Sequence, residues 1–559
     1  MSPRLFIAVI ACTIVFLSCG KKSTSIEQNS AVVALSGDVE NFNPIVASSV
    51  VSTEINSVVF PNMFNLTFDQ REGRLVYGPG LVQRWEYSPD GLDVTLHLRS
   101  DIRWEDGMPV TAEDVKFSYA LYGNPDVASP RSNYVESMIL TNGIFDPQKS
   151  MTVVDDSTIV FHFAKKYQYQ LFHLNLSPIP KHLYRNADPA TLRANPMNDI
   201  PVGAGPFKVE KWTRQQEVIL GKSVRNKLTE EAALDRIVFR VIEEPTTRLT
   251  ELKKGTLDFM WPIYQEDVKD IQENIRDVRL VTRPPRTYEY VNWANVDFEE
   301  FKRSNGQVLR PHRLFGDRRV RQALTFGINR KAIMDAKLGN YGELAVTDIS
   351  PIFRWAVNSE LLPYPYDPKK ARELLKMAGW TDTDGDGTLD KNGVKFEFTL
   401  NYNTGNPRRA YAATVIQDNL RQLGIVVQLA PIEPVVFTEG ITNKKYDAFL
   451  GGFSVSLVID PSDRWGDLHN PFNSTGFQNE RVKELLKLGL HAPNEREAGR
   501  FWKEIQAILH QEQPCTFMYW IKDIVGVNRR LKNTNVNMLG ILDEMWKWRI
   551  GDPNAATTY

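Results

Sequence analysis

Polar and apolar positions alternate along "GLDVTLHLRS" (91–100), with Leu92, Val94, Leu96 and Leu98 on one face. A period of two marks a strand with one buried face, and "DSTIVFHFA" (156–164) repeats it. "AVVALSG" (31–37), 236–242 and Leu257–Met260 read as further strands. Between them the period lengthens. In "TAEDVKFSYAL", Thr111 as N-cap and Asp114 three residues on form a capping-box variant, so a helix starts there. Another runs from about Thr246 and ends before Gly255. The segment 316–339 predicts one long helix capped by Asp317, with Val320, Leu324 and Ile328 at four-residue spacing on its buried side. "DPKKARELLKMAG" has Asp367 as N-cap, Pro368 at the first helical position and Gly379 as stop. Strands and helices interleave throughout, which is a mixed α/β pattern. No internal repeat and no Pro/Gly-rich linker interrupts it, so the domains are expected to be discontinuous in sequence.

The length of 559 residues predicts two or three domains. The net charge of -1, without a basic stripe, argues against a nucleic-acid partner. The first residues, "MSPRLFIAVIACTIVFLSCGKK", place Arg4 before an apolar run, Leu5 to Leu17, that fits a signal peptide better than a bilayer span. "FLSC" resembles a bacterial lipobox with Cys19 as the residue to be lipidated, although Phe16 stands where Leu is preferred. The alternative is an ordinary secretory signal with a stray cysteine. The polar stretch after it would act as a tether. Cys12 leaves with the signal and Cys19 carries lipid, so Cys515 has no intramolecular disulfide partner.

No nucleophile elbow, HExxH, P-loop or CxxC is present, and no two of the eight histidines stand four apart. "GWTDTDGDGTLDKNGVKF" (379–396) resembles a calcium loop, with Asp382, Asp384 and Asp386 at positions one, three and five and Asp390 at nine. Position twelve is Gly393 where a bidentate Glu is needed, and Asn392-Gly393 is a good two-residue hairpin turn. The loop therefore reads as a helix-to-hairpin connection, at most a weak calcium site. No cofactor is indicated. Aromatic residues, 11% of the chain, cluster with polar ones in "DFMWPIYQ" (258–265), "YEYVNWANV" (288–296) and "GGFSVSLVIDPSDRWGD" (451–467), as in the walls of binding clefts.

These stretches carry a family resemblance. "QRWEYSPDGLDVTLHLRSDIRWEDGMPVTAEDVKFSY" (83–119) is similar to the signature of the bacterial extracellular solute-binding proteins of family 5, the peptide- and nickel-binding subunits of ABC importers. "PVGAGPFKVEKW" (201–212), "RRVRQALTFGINRKAI" (318–333) and "YPYDPKKARELLKMAGW" (364–380) fall in the same order as in that family. The resemblance implies an α/β fold of the two-lobe periplasmic-binding-protein type II (cluster C) kind, with an extra third domain and a hinge. By that layout, residues 1–18 are the signal peptide and 19–30 the lipidated Cys19 and tether. Residues 31–70, 198–288 and 513–559 form lobe I, 71–197 the extra domain, and 289–512 lobe II. It further implies a non-enzymatic monomer, lipid-anchored in the periplasm or cell envelope. That protein would capture peptides by hinge closure and deliver them to an ABC permease in the inner membrane. A metal chelate, haem or an oligosaccharide is the alternative ligand, and an extracytoplasmic hydrolase the more distant alternative.

In peptide-binding relatives an Asp in the second-lobe loop pairs with the ligand's α-ammonium. Here that place falls on Ser456 or Leu457, and Asp460 reads as a turn residue. The ligand-binding candidates are Asn43, Trp261, Tyr290, Asn292, Phe453 and Ser456. Each has a structural counter-reading: Asn43 as cap of the turn before Pro44, Trp261 and Phe453 as core, Asn292 as a partner of hinge backbone.

Overall fold

The computed structural model describes residues 29–223 and 228–552; the signal-peptide and Cys19 expectations lie outside them. Its largest element is a continuous sheet whose order is 207–213, 217–222, 236–241, 30–35, 259–260, 515–528, 278–293, 448–454, 397–403 and 426–432, with 342–344 added beside 515–528. Strand Ser30–Leu35 runs parallel to Arg236–Val241, and Glu397–Asn403 parallel to both Val426–Ile432 and Ala448–Ser454. Parallel strands are covered on both faces, so Ala31 and Val33 enter one core while Val32 and Ala34 enter another.

Two long strands, Val278–Trp293 and Cys515–Asn528, cross from one half of this sheet to the other. They pair antiparallel from Val278↔Asn528 to Arg283↔Asp523, break, and resume at Thr287↔Ile521. Residues 284–286 thus face a single residue across the ladder. Pro284 and Pro285 have no N–H to donate, and an unpaired bulge is where such residues are tolerated in a sheet. On one side of the break lies the first lobe. On the other lies the second, whose two cores pack on opposite faces of its sheet.

A separate four-stranded antiparallel sheet, 82–87, 93–98, 158–162 and 151–155, forms the third unit. Its alternation is as the sequence predicts: Val94, Leu96, Ile159 and Phe161 are fully buried. Helix Ala112–Tyr122 begins with both capping-box bonds between Thr111 and Asp114. Asp317 and Asp367 cap their helices, and Gly379 ends the second of these at φ 87°. The long helix expected over 316–339 is instead two, Arg318–Gly327 and Arg330–Lys337. Ile328 is extended between them, and the Asn329 side chain accepts from the Ala332 N–H to restart the helix. Val320, Leu324 and Ile328 are buried all the same.

Candidate functional site: the interlobe cleft

Strand Ala448–Ser454 pairs with the crossing strand so that Phe453 stands opposite Tyr288 and Ser454 opposite Thr287. Beyond Ser454 the chain leaves the sheet and runs across the cleft between the lobes. Arg286 fastens its start: the Val455 N–H donates to the Arg286 carbonyl at 2.8 Å, and the guanidinium donates back to the Val455 carbonyl at 3.1 and 3.3 Å. The same guanidinium donates to the Met538 carbonyl of the first lobe at 3.1 Å. Further on, Leu457 and Val458 pack against Tyr167, Tyr169 and Phe172 of the third unit. The Asp460 carboxylate then accepts from the Ser462 N–H at 3.1 Å and turns the chain into the short helix Ser462–Trp465.

This segment divides the space between the units into chambers. One of about 360 Å³ lies against the second lobe, lined by Arg286, Asp348, Ser456, Asp460, Asp463 and Arg464 among others. One of about 370 Å³ lies against the first lobe near Glu54. One of about 920 Å³ opens between the third unit and the second lobe. Volumes of this order suit ligands from amino-acid to oligopeptide size. Leu457 lines both of the latter two.

The charges around the smallest chamber are unusual. Arg464 is only 3% exposed. Its guanidinium carbon lies 4.5 Å from the Tyr290 ring centroid, 4.9 Å from Trp465, 5.0 Å from Phe453 and 5.3 Å from Tyr288. Four rings around one cation compensate part of its lost hydration. Burial still pulls its pKa down to about 10. Burial, reinforced by nearby Arg283, does the same to Arg286. Asp348 is buried too; its Oδ2 accepts from Trp465 Nε1 at 2.6 Å, and burial pushes its pKa up to about 6. The Cys515 thiol close by is pushed up to about 12 by burial, which disfavours the reactive thiolate.

The six sequence-derived candidates separate in space. Phe453 and Ser456 line the 360 Å³ chamber. Trp261 is half-buried and faces a narrow slot beside Glu54, with the Arg283 guanidinium 6.0 Å from its ring. The other three are framework rather than cleft wall. The fully buried Asn43 caps its turn: Oδ1 accepts from the Ile45 N–H at 3.0 Å, and Nδ2 donates to Asn198 at 3.0 Å. Asn292 is equally buried and exchanges two hydrogen bonds with Ser474. Tyr290 is 5% exposed and lies beneath Arg464. Arg286, Asp348, Arg464 and Glu54 escape sequence reading, since a lone arginine in "DPSDRW" resembles an ordinary surface charge.

The aspartate-rich loop lies outside the cleft. Asp382, Asp384 and Asp390 bring carboxylate oxygens within 4.8 Å of one another. A cation of the chain itself sits among them: Lys395 Nζ is 2.7 Å from both Asp384 oxygens and 2.9 Å from Asp386. Asp382 accepts from the Gly385 and Gly387 amides, and Asp390 from Thr383. The hairpin expected at Asn392-Gly393 is present, with φ of 52° and 77° and Lys391 paired to Val394.

Two lobes are joined by a pair of crossing strands, with a third unit beside the first. Residues 76–476 match the family described as bacterial extracellular solute-binding proteins, family 5 Middle. The chain belongs to this family. Among family 5 relatives, the oligopeptide-binding protein AppA of Bacillus subtilis is 26% identical over 543 residues, 95% of this chain and 94% of AppA. The glutathione-binding protein GsiB of Salmonella typhi is 26% identical over 516 residues, 88% of each chain. The structure of B. subtilis AppA in complex with a nonapeptide superposes with a TM-score of 0.76, covering 94% of this chain and 99% of that one. NikZ of Campylobacter jejuni, solved with Ni(L-His), shares the fold with a TM-score of 0.76 at 24% identity, covering 93% of this chain and 99% of NikZ. The fold is therefore that of the family 5 periplasmic binding proteins.

Proposed function

We propose that this chain is the extracytoplasmic substrate-binding subunit of an ABC importer, capturing peptides by closure of its two lobes and delivering them to a membrane permease. The observation that carries this reading is the pair of crossing strands. Their ladder is interrupted at Pro284–Arg286, and the cleft segment is fastened at that same point. A rotation absorbed there brings the lobes together over a ligand. Binding that touches both lobes then shifts the population toward the closed state. The similarity to AppA, whose structure holds a nonapeptide, supports a peptide as ligand. The chain would act by binding alone, without catalysis. In this reading lobe I takes residues 31–70, 198–288 and 513–559, the extra domain 71–197 and lobe II 289–512. Cys19 would carry the lipid anchor of a monomeric envelope protein. Native mass spectrometry of the freshly purified chain tests the ligand. Co-purifying peptides of several residues are the expected result. A metal chelate, haem or an oligosaccharide recovered instead across several preparations would overturn the peptide assignment while leaving the binding role. Turnover of a peptide substrate would overturn the non-enzymatic reading.

A further inference from the structure

Salt-bridge partners are distributed unevenly in the cleft. Arg283 is paired with Asp523 at 2.5 Å. Arg286 and Arg464, among the described residues, form no salt bridge at all. Arg286 donates only to the carbonyls of Val455 and Met538. Nη1 of Arg464 is buried and has no hydrogen-bond partner. The acids nearby are bonded to other groups. Glu54 accepts from the Ile541 and Leu542 amides. Asp523 is held by Arg283. Asp460 and Asp463, exposed at the rim, take the Ser462 amide and the Asn470 side chain. Asp348 is bonded through Oδ2 to Trp465, and its Oδ1 is left without a partner. A buried cation is retained only where something compensates its lost hydration. The aromatic box does so for one face of Arg464. The chamber beside it is also walled by Asp348, Asp460 and Asp463, none of which, among the described residues, forms a salt bridge with either arginine.

We infer that the 360 Å³ chamber is an anion subsite, in which Arg286 and Arg464 receive a carboxylate of the ligand. This rests on the peptide-binding reading above and sharpens it. The carboxylate belongs either to the peptide's C-terminus or to an acidic side chain. Ser456, on the same wall, bears no charge that would hold an α-ammonium, and the carboxylates of that wall, Asp348, Asp460 and Asp463, are each bonded to another group: Trp465, the Ser462 amide and Asn470. With those carboxylates already bonded and the two guanidiniums lacking a salt bridge, the site favours the acidic feature of the ligand over its amine. A guanidinium pair suits this task, because each offers planar donors to a two-oxygen acceptor.

Isothermal titration of the full chain decides the point. The probes are one tetrapeptide with free ends, its N-acetyl form, its C-terminal amide, and a Glu/Gln pair at each internal position. Removing the responsible carboxylate is expected to weaken binding by about tenfold or more, as for a charged hydrogen bond, while acetylation leaves it within about threefold. The C-terminal amide and the Glu/Gln pair reveal which carboxylate it is. The penalty should vanish in Arg286→Gln and Arg464→Gln. Should those variants fold poorly, Ser456→Asp at its exposed position is expected to lower affinity for the free carboxylate by about tenfold. Acetylation costing more than loss of any carboxylate, or carboxylate removal costing nothing, overturns the inference. If no peptide binds, the peptide reading fails and glutarate against its monoamide tests the subsite alone. Stabilisation by glutarate only, lost in Arg286→Gln, upholds it; no stabilisation overturns it.

Discussion

The aspartate-rich loop and the chamber beneath Phe453 are both knots of charge, yet they are opposite in kind. In the loop, four carboxylates converge and every one is answered within the chain, chiefly by Lys395 and by backbone amides. In the chamber, two guanidiniums are held beside an open volume and, among the described residues, neither forms a salt bridge, although Asp348, Asp460 and Asp463 share the wall. Density of charge in the sequence points to the loop, whereas unsatisfied charge in the structure points to the chamber. On the proposed reading, function follows the second, because a group already satisfied has little to offer a ligand.

The sharpest way to break the contrast is to unsatisfy a satisfied site. Glu289 is fully buried; burial pulls its pKa up, but Arg408, Arg409 and Tyr519 outweigh this and hold it down. Glu289→Ala strands both arginines and should cost on the order of 3–5 kcal/mol in urea unfolding. Asp348 gives the next effect. Its folded pKa of about 6 lies above the ordinary 3.8, so the folded state binds the extra proton between those values. Stability contributed by the protonated form is full below about pH 4 and is lost as pH rises through 6. Asp348→Asn should flatten the melting profile across this window by roughly 2–3 kcal/mol relative to wild type. Asp543, also raised to about 6 by burial, titrates in both proteins and cancels in the difference. Arg464→Met, an apolar chain in an aromatic box, should leave the ligand-free protein as stable or about 1 kcal/mol more so, while abolishing ligand-induced stabilisation. A large loss of stability without ligand would show Arg464 to be a structural element only. The smallest effect concerns the loop. Lys395→Ala removes the internal cation, so 10 mM calcium should raise Tm by about 1 °C in the variant and not in wild type. An equal response in both would mean that Lys395 does not occupy the carboxylate cluster in solution.

Much of the frame was legible in the sequence for local reasons. Caps at Thr111, Asp317 and Asp367, the period-two strands of the third unit, and the Asn392-Gly393 turn each depend on a few consecutive residues. The break at Ile328 was missed because four-residue spacing continues through it while the backbone does not. The site was less legible. Asn43 and Asn292 have the residue type of ligand contacts, but their bonds run to Asn198 and Ser474, more than 150 positions away. Arg464 carries no mark in "DPSDRW". Its environment exists only because the crossing strand pairs Tyr288 with Phe453, 165 positions on. Where chemistry depends on register between distant strands, periodicity cannot announce it.

Arg286 sits at the interruption of the crossing strands. A point on the axis of a rotation travels least. If the lobes swing about this place, the guanidinium offers an incoming ligand nearly the same position whether the jaws are apart or together. Capture and retention then become separable events. The axis residue governs how fast a ligand is caught, and contacts far from it, such as Leu457 against the tyrosines of the third unit, govern how long it stays. Substitutions near the pivot should therefore register in association rates, and those at the distant rim in dissociation rates.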